Sequence, residues 1–343
     1  MKILVWLSGG VDSAVSALLL KEQGHEVVWW FMKNFVSDTW NCTTREDAEE
    51  AIKVANFLDI ELKVFDYQKE YEEHIIQYIF DGYECWITPN PDILCNNLVK
   101  FKLFLDDALL QWFDAIATGH YSRIQKDWNS YNLLRWKDRN KDQSYFLSWL
   151  NQYQLSNSIF PLWALEKTEI RKIAKEKWLP NADRKDSQGL CFIGNIPMKE
   201  FLLKKLNKKE GNIIDIKWNI VGKHDWAYFF TIWQRHGLKL PFKAFVIKTN
   251  IEDNTVTVWE KEHQQLHTDL VKLQDWNRIN SSYKLPLDIS AKIRYRQTPA
   301  PAQLIKDDQH YAIKFKEEQF AIAPWQTAVA YLDDICIWNG IIQ

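Results

Sequence analysis

The apolar run Ile3-Leu4-Val5 is followed by a polar, glycine-containing turn. From Ala14 to Gln23, Val15, Leu18 and Leu19 recur at helical spacing, and Gly24 stands where a C-cap belongs. This pattern predicts a short buried strand, a tight turn and a helix. His25 to Met32 reads as a second strand and Glu61 to Tyr67 as a third, with Asp114 to Ala117 as another further on. Between and after them, Arg45–Leu58, Glu70–Phe80, Leu98–Leu110 and Lys167–Trp178 read as helices; in the first of these, Ala48, Ala51, Ile52 and Ala55 share a face. Alternating strands and helices predict an α/β fold, a parallel sheet with helices on both faces, whose ligands bind at the carboxyl ends of the strands. After Pro197 the pattern changes. Lys199 to Gly211 reads as a basic helix, whose lysines mark either a solvated face or an RNA contact. Short strands follow at Gly211–Ile216, Ala244–Lys248 and Thr255–Trp259. From Asp288 onward the alternation in Ala291–Gln297, Tyr311–Phe315 and Ala328–Leu332 predicts a small β barrel or sandwich.

The turn Leu7-Ser8-Gly9-Gly10-Val11-Asp12-Ser13 carries the densest chemistry. Glycines there let backbone N–H groups close on an anion, and the helix N-terminus adds partial positive charge. The serine hydroxyls add donors, and Asp12 can hold a metal ion that bridges phosphates. The spacing is not that of a Walker A loop. The plain alternative is a glycine turn with no ligand.

Two cysteine-bearing loops follow. In Thr88-Pro89-Asn90-Pro91-Asp92-Ile93-Leu94-Cys95-Asn96, two prolines predict a rigid, extended segment. Cys95 would then sit just before a helix, whose dipole favours a thiolate, with Asp92 nearby as proton donor or acceptor. A proline-rich loop with an incidental cysteine is the alternative. The second loop, Lys185 to Gly194, bears Cys191, which is otherwise a buried apolar residue beside Phe192. Thr118-Gly119-His120-Tyr121, at a strand end, suits close backbone approach to a nucleotide, although a single histidine is more often structural. Lys141 to Leu147 is either a surface turn entering a helix or a phosphate and base contact. Arg294, Tyr295 and Arg296 offer cations and a stacking surface to RNA, or form one face of a solvated strand.

Composition narrows the setting. At 343 residues the chain has room for two or three domains. A net charge of −2 removes any bulk basic character, so nucleic-acid contacts must come from local patches. Met1 runs directly into the first strand, so no signal peptide is expected, and no apolar run approaches the roughly 20 residues of a membrane span. Five cysteines at wide, irregular spacing do not form a disulfide framework. A reduced, cytoplasmic protein with no membrane partner is expected.

Taken together, Ser8–Ser13, Thr88–Asn96, Ala117–Tyr121, Lys141–Leu147, Asp186–Gly194, Gln234–Leu238, Arg294–Gln297 and Ala323–Gln326 resemble the bacterial tRNA-specific 2-thiouridylases of the PP-loop ATP pyrophosphatase superfamily. The likeness runs in order over nearly the whole chain. It implies an N-terminal parallel-sheet PP-loop domain (1–200), a small central domain (201–272) and a C-terminal β-barrel (273–343). It further implies ATP-dependent 2-thiolation of the wobble uridine in the tRNAs for Lys, Glu and Gln. The cofactors implied are ATP and Mg2+, and the partners are tRNA and a persulfide donor protein, either a cysteine desulfurase or a relay. By resemblance, Trp6, Leu7, Ser8, Gly9, Gly10, Val11, Asp12, Ser13, Met32 and Gly119 hold ATP. Asn90, Pro91 and Asp92 meet the flipped-out uridine. Cys95 is the nucleophile beside it and Cys191 the persulfide carrier, the two forming a transient disulfide. His120, Lys141, Asp142, Gln143, Arg294, Tyr295 and Gln326 face the tRNA. No metal site built from protein side chains alone is implied. Two other readings are another PP-loop tRNA-modifying or adenylating enzyme, which needs no cysteine pair, and a catalytically dead tRNA-binding homologue, which would have lost Ser8–Ser13 or a thiol.

One departure from the family is systematic. The chain has 18 Trp and 11 Gly, whereas average usage gives about 24 Gly. Trp6, Trp29, Trp86, Trp112, Trp136, Trp163, Trp178, Trp218, Trp226, Trp233, Trp325 and Trp338 stand where the family pattern has glycine. The expectation is that UGA codons meaning glycine have been written as tryptophan, that Trp276 is genuine, and that Trp6, Trp86 and Trp325 crowd the site.

Overall fold

A computed structural model describes residues 1–33, 44–85, 87–185, 198–203, 205–206, 208–232, 234–250, 252–259, 267–280, 283–307, 310–320 and 322–343. The strands in chain order are β1 (Lys2–Leu7), β2 (Glu26–Lys33), β3 (Glu61–Asp66), β4 (Ala115–Ala117), β5 (Ser122–Asp127), β6 (Ser130–Arg135), β7 (Ser158–Ile159), β8 (Gly211–Ile214), β9 (Ile220–His224), β10 (Phe245–Asn250), β11 (Thr255–Trp259), β12 (His267–Arg278), β13 (Leu287–Lys292), β14 (Ala300–Asp307), β15 (His310–Phe320), β16 (Thr327–Leu332) and β17 (Ile335–Ile342).

The N-terminal sheet has the order β3-β2-β1-β4-β7, all parallel. Its inner strands β1, β2 and β4 are apolar on both faces, as a sheet covered on both sides requires, while the edge strand β3 is partly exposed. Leu4, Trp6, Val28 and Trp30 pack toward the helices at 68–84 and 91–110. Ile3, Val5, Leu7, Val27, Trp29 and Phe31 pack toward α1 (Val11–Glu22), α2 (Thr44–Leu58) and the helix Lys167–Glu176. β1 is flanked by β2, its successor, and by β4, which returns from the far side. The strand order therefore reverses beside β1, and the crevice at its carboxyl end is the natural ligand site.

A separate four-stranded sheet, β10-β11-β8-β9, forms the central domain over its own small core of Ile213, Val246, Val256 and Val258. In the C-terminal domain β12 to β17 close into a barrel, in the order β12-β15-β14-β13-β16-β17, with β17 pairing back onto β12. The hairpin β5–β6, from the N-terminal domain, extends this sheet through Leu133↔Cys336 and Leu134↔Ile335. β12 begins at His267, so the barrel's first strand straddles the expected boundary at 272.

Three local expectations change. The predicted basic helix at 199–211 is confined to Met198–Leu202. Lys199 pairs with the Asp225 carboxylate, and Lys205 Nζ lies 4.8 Å from the centre of the Phe80 ring. Ala291–Gln297 is a strand only to Lys292. The chain then turns, with Gln297 N–H donating to Arg294 O at 3.2 Å and the Gln297 side chain accepting from Ile293 N–H at 2.9 Å. The third change concerns the Thr88–Asn96 segment, which belongs to the site.

Candidate active site

The Ser8–Ser13 turn folds at the carboxyl end of β1. Gly9 takes φ +72°, where a side chain would be strained. A Cβ there would also come within 2.7 Å of Arg184 Nη1 and of the Asp47 carbonyl. The Gly9 carbonyl accepts from Asn181 Nδ2 at 3.0 Å and Arg184 Nη1 at 2.9 Å, while the Arg184 guanidinium also pairs with the Asp47 carboxylate. The peptide is thereby fixed from two sides. Ser13 Oγ donates to Gly10 O at 3.0 Å and lies 3.4 Å from Ser8 Oγ. Gly10 precedes α1 and gives no side-chain cap, and the N–H groups of the first helical turn have no intrahelical acceptor. The result is an anion cradle with two hydroxyls at its edge. Gly119, beyond β4, closes against it: a Cβ there would lie 3.1 Å from Asp12 C and Ser13 N. Met32 is 2 % exposed, at the end of β2. Trp6 is 4 % exposed, edge-on to Phe104 at 5.0 Å, with Lys100 Nζ 5.7 Å from its ring centre.

Asp12 has a partner that sequence reasoning missed. Lys167 Nζ donates to Asp12 Oδ1 at 2.6 Å and to the Tyr121 hydroxyl at 2.8 Å, and both charged side chains are largely withdrawn from solvent. Lys167 opens a helix that packs on α1. The amphipathic period showed the helix, and only the fold shows what its first residue touches.

The Thr88–Asn96 segment is not extended throughout. The Asn90 side chain accepts from Ile93 N–H at 3.5 Å, Pro91 sits at the first helical position, and a helix with a π-helical middle runs over 91–110. Proline fits there because the N–H it lacks has no helical partner anyway. Cys95 therefore lies inside the helix, not ahead of it, and is 1 % exposed. Asn90 N–H donates to the Tyr78 hydroxyl at 3.3 Å, and Asn96 Nδ2 to Phe146 O at 3.3 Å. Gln326, on the turn before β16, donates to Thr88 O at 2.9 Å, and Phe146 packs on Tyr295 with ring centres 4.3 Å apart. The tyrosine hydroxyl of Tyr295 is pushed up by burial and by the charges of Asp142 and Asp92. Asp92, Tyr295, Phe146 and Gln326 thus meet around the start of the Cys95 helix. Cys191, with its loop and its pairing to Cys95, lies outside the described residues, as do Cys42, Trp86 and Trp233.

Of the residues expected on the tRNA face, Asp142 is buried, while Gln143 and His120 are half-buried and held by neighbours within the chain. Asp142 is 1 % exposed. It accepts from Trp136 N–H at 3.0 Å, Ser144 N–H at 3.2 Å and Ser144 Oγ at 3.0 Å, with Arg135 Nε at 3.6 Å and Lys292 Nζ at 3.5 Å. A carboxylate so enclosed joins the N-terminal domain to β13. Gln143 is tied to Tyr121, accepting its N–H at 2.9 Å and donating its own N–H to Tyr121 O at 2.8 Å. His120 stands between Phe101 and Phe160, with Nδ1 2.8 Å from Thr118 Oγ1. Burial, helped by the charge of Lys100, holds its imidazole well below the usual range, so it is neutral. Arg294 and Lys141 are exposed, and Arg294 donates to Phe320 O at 2.8 Å. Trp136 is well accommodated: its ring stacks on Tyr121 at 4.1 Å and Nε1 donates to Leu162 O at 3.1 Å. Trp325 is 40 % exposed on the turn that carries Gln326.

A parallel sheet with a Ser-Gly-Gly-x-Asp-Ser turn at its switch point defines an α/β protein of the PP-loop type, here with two appended β domains. Family models match all three parts: a tRNA methyl transferase HUP domain over residues 1–195, a tRNA methyl transferase PRC-barrel domain over 199–260 and an aminomethyltransferase beta-barrel domain over 268–342. The tRNA-specific 2-thiouridylase MnmA of Listeria monocytogenes is 39 % identical over 351 residues, covering 100 % of this chain and 95 % of its own. That of Nitrosomonas eutropha is 41 % identical over 355 residues, covering 99 % and 98 %. The chain belongs to the tRNA-specific 2-thiouridylase family.

Proposed function

We propose that this chain uses ATP to replace O2 of the wobble uridine of tRNA with sulfur. The observation that carries the reading is the Ser8–Ser13 cradle, intact at the sheet's switch point, in a chain aligned end to end with thiouridylases. A pyrimidine carbonyl oxygen leaves poorly. Attack of O2 on the α-phosphorus of ATP expels pyrophosphate and makes that oxygen part of AMP, a good leaving group. The N–H groups of the first turn of α1, Ser8, Ser13 and Lys167 would hold the phosphates, with Gly119 letting the nucleotide approach. Asp12 would hold Mg2+, which screens phosphate charge when bound. A single carboxylate suits this ion, which keeps waters and phosphate oxygens in its shell.

Sulfur arrives as the outer atom of a Cys191 persulfide, loaded by a donor protein. It attacks C2, and AMP departs. The Cys95 thiolate then attacks the inner sulfur, freeing the thiolated base and leaving a Cys95–Cys191 disulfide, which a two-electron thiol reductant resets. In the other order, Cys95 releases hydrosulfide before the attack on C2. The base must leave its stack, so Asn90, Pro91 and Asp92 are assigned to receive it. Arg294, Tyr295, Lys141 and Gln326 are assigned to the tRNA, which gives a salt-sensitive contact in a nearly neutral cytoplasmic protein. Measuring AMP release and 2-thiouridine on unmodified tRNA tests the scheme. Asp12→Ala should lose both products, and Cys95→Ser should lose only the thiolated base. AMP release unchanged in Asp12→Ala refutes the ATP site.

A further inference from the structure

We propose that, in the cell this chain comes from, glycine occupies positions 112, 128, 178, 218 and 325, the UGA codon being read there as glycine. Ten non-glycine residues among those described have a left-handed φ, and five are tryptophans: Trp112 (62°), Trp128 (47°), Trp178 (55°), Trp218 (67°) and Trp325 (68°). Four of the rest are Asp or Asn, the side chains that ordinarily tolerate this region. For the 15 tryptophans among the described residues, a frequency of a few per cent predicts about one or fewer.

Each of the five sits in a local structure with its own demand for glycine. Trp112 follows the helix ending at Leu110: its N–H donates to Leu109 O at 3.1 Å and that of Phe113 to Ala108 O at 3.1 Å. Trp178 repeats this after Glu176, with Trp178 N–H to Lys175 O at 3.1 Å and Leu179 N–H to Ala174 O at 2.9 Å. These are Schellman C-caps, whose C′ residue is usually glycine. After α1 the same pair of bonds, Gly24 N–H to Lys21 O and His25 N–H to Leu20 O, is built with glycine at φ +81°. Trp128 is the first residue of the two-residue loop joining β5 to β6, where tight hairpins take Gly or Asn. Trp218 is the left-handed residue closing the turn from β8 to β9, with its N–H on Asp215 O at 3.0 Å. Trp325 is third in the turn Ala323-Pro324-Trp325-Gln326, closed by Gln326 N–H to Ala323 O at 3.4 Å. Proline second and a positive φ third is the type II arrangement, whose third position takes glycine or asparagine.

Four of the five side chains have no compensating role in packing, and Trp325 is 40 % exposed. Trp112, Trp128, Trp178 and Trp218 are 87, 93, 82 and 78 % exposed. Trp276, in contrast, has no left-handed backbone, and its ring packs against Tyr311 and Trp338 at 4.6 and 5.2 Å. Trp128 was not among the positions that the family pattern marked, so the backbone finds the substitution independently.

Two measurements decide this. The gene is read at the five codons, and peptides of the protein isolated from its natural cells are weighed. UGA at all five codons is expected, with every corresponding peptide lighter by the difference between a tryptophan and a glycine residue. UGG at any of the five codons, or tryptophan in any of the five peptides, overturns the proposal.

Discussion

Expressed as written, the chain carries strain that glycine would remove, and a four-site variant measures how much. Trp112→Gly, Trp128→Gly, Trp178→Gly and Trp218→Gly combine the exposed left-handed sites; Trp325 is left out because more of its ring is covered. A left-handed L-residue costs about 1–2 kcal/mol. Glycine returns about 0.5–1 kcal/mol of that through its greater backbone entropy in the unfolded chain. Burial adds little to the balance, because rings at 78–93 % exposure are no better covered than in a realistic denatured chain, which already hides roughly 10–40 %. The net gain is about 0.5–1 kcal/mol per site, or about 2–4 kcal/mol for four separated and therefore additive sites. With an unfolding entropy near 2.1 cal/mol/K per residue, that is a rise of roughly 3–6 °C in Tm. Differential scanning calorimetry of the two chains reads it. A four-site variant melting at or below the written chain would refute the reasoning. Trp276→Gly, which removes packed ring contacts from unstrained backbone, should shift Tm downward.

Three further outcomes are expected. Lys167→Gln removes the cation beside Asp12 and should cut AMP formation by about 10²–10³, the usual effect of losing one preorganised charge at a reacting group, while far-UV circular dichroism is unchanged; activity within a few-fold of the parent would place Lys167 outside the chemistry. Asp142→Asn leaves Lys292 and Arg135 buried without their counter-charge and should destabilise by about 3–5 kcal/mol in urea unfolding, with Lys292→Met in the same chain recovering part of the loss. His120 is held neutral by burial and Lys100, so its folded pKa lies below the unfolded one and the unfolded chain binds the extra proton. Its stability contribution is complete above about pH 6.5 and falls as pH drops, by up to about 1.4 kcal/mol per pH unit; His120→Gln should flatten the urea midpoint between pH 7.5 and 5.5, although buried His224, shifted the same way, will leave some slope.

The strand–turn–helix at the N-terminus was legible because its signals are local. An apolar run, two glycines and a helical period lie within a few turns of chain, and the structure forms them as β1, the Ser8–Gly10 turn and α1. The helical start at Pro91 was also written locally, in an Asn cap followed by proline at the first turn, and was misread because proline was taken only as a breaker. The tryptophan anomaly could be seen in composition, but which sites are strained required φ angles.

What the sequence could not show is what depends on long-range pairing. Nothing in Ser122–Arg135 announces that its hairpin extends a barrel formed some 200 residues later, because the pairing of Leu133 with Cys336 is set by the packing of both domains. Asp142 and Lys141 are adjacent polar residues, yet one is enclosed by Lys292 and Arg135 and the other faces solvent. Lys167 reads as an ordinary helix lysine until its helix is laid against α1, bringing Nζ to Asp12. Local conformation follows from steric and hydrogen-bonding preferences within a few residues, which the sequence carries directly. Which charge is buried, and beside which partner, depends on the layers that cover it, and only the folded chain decides that.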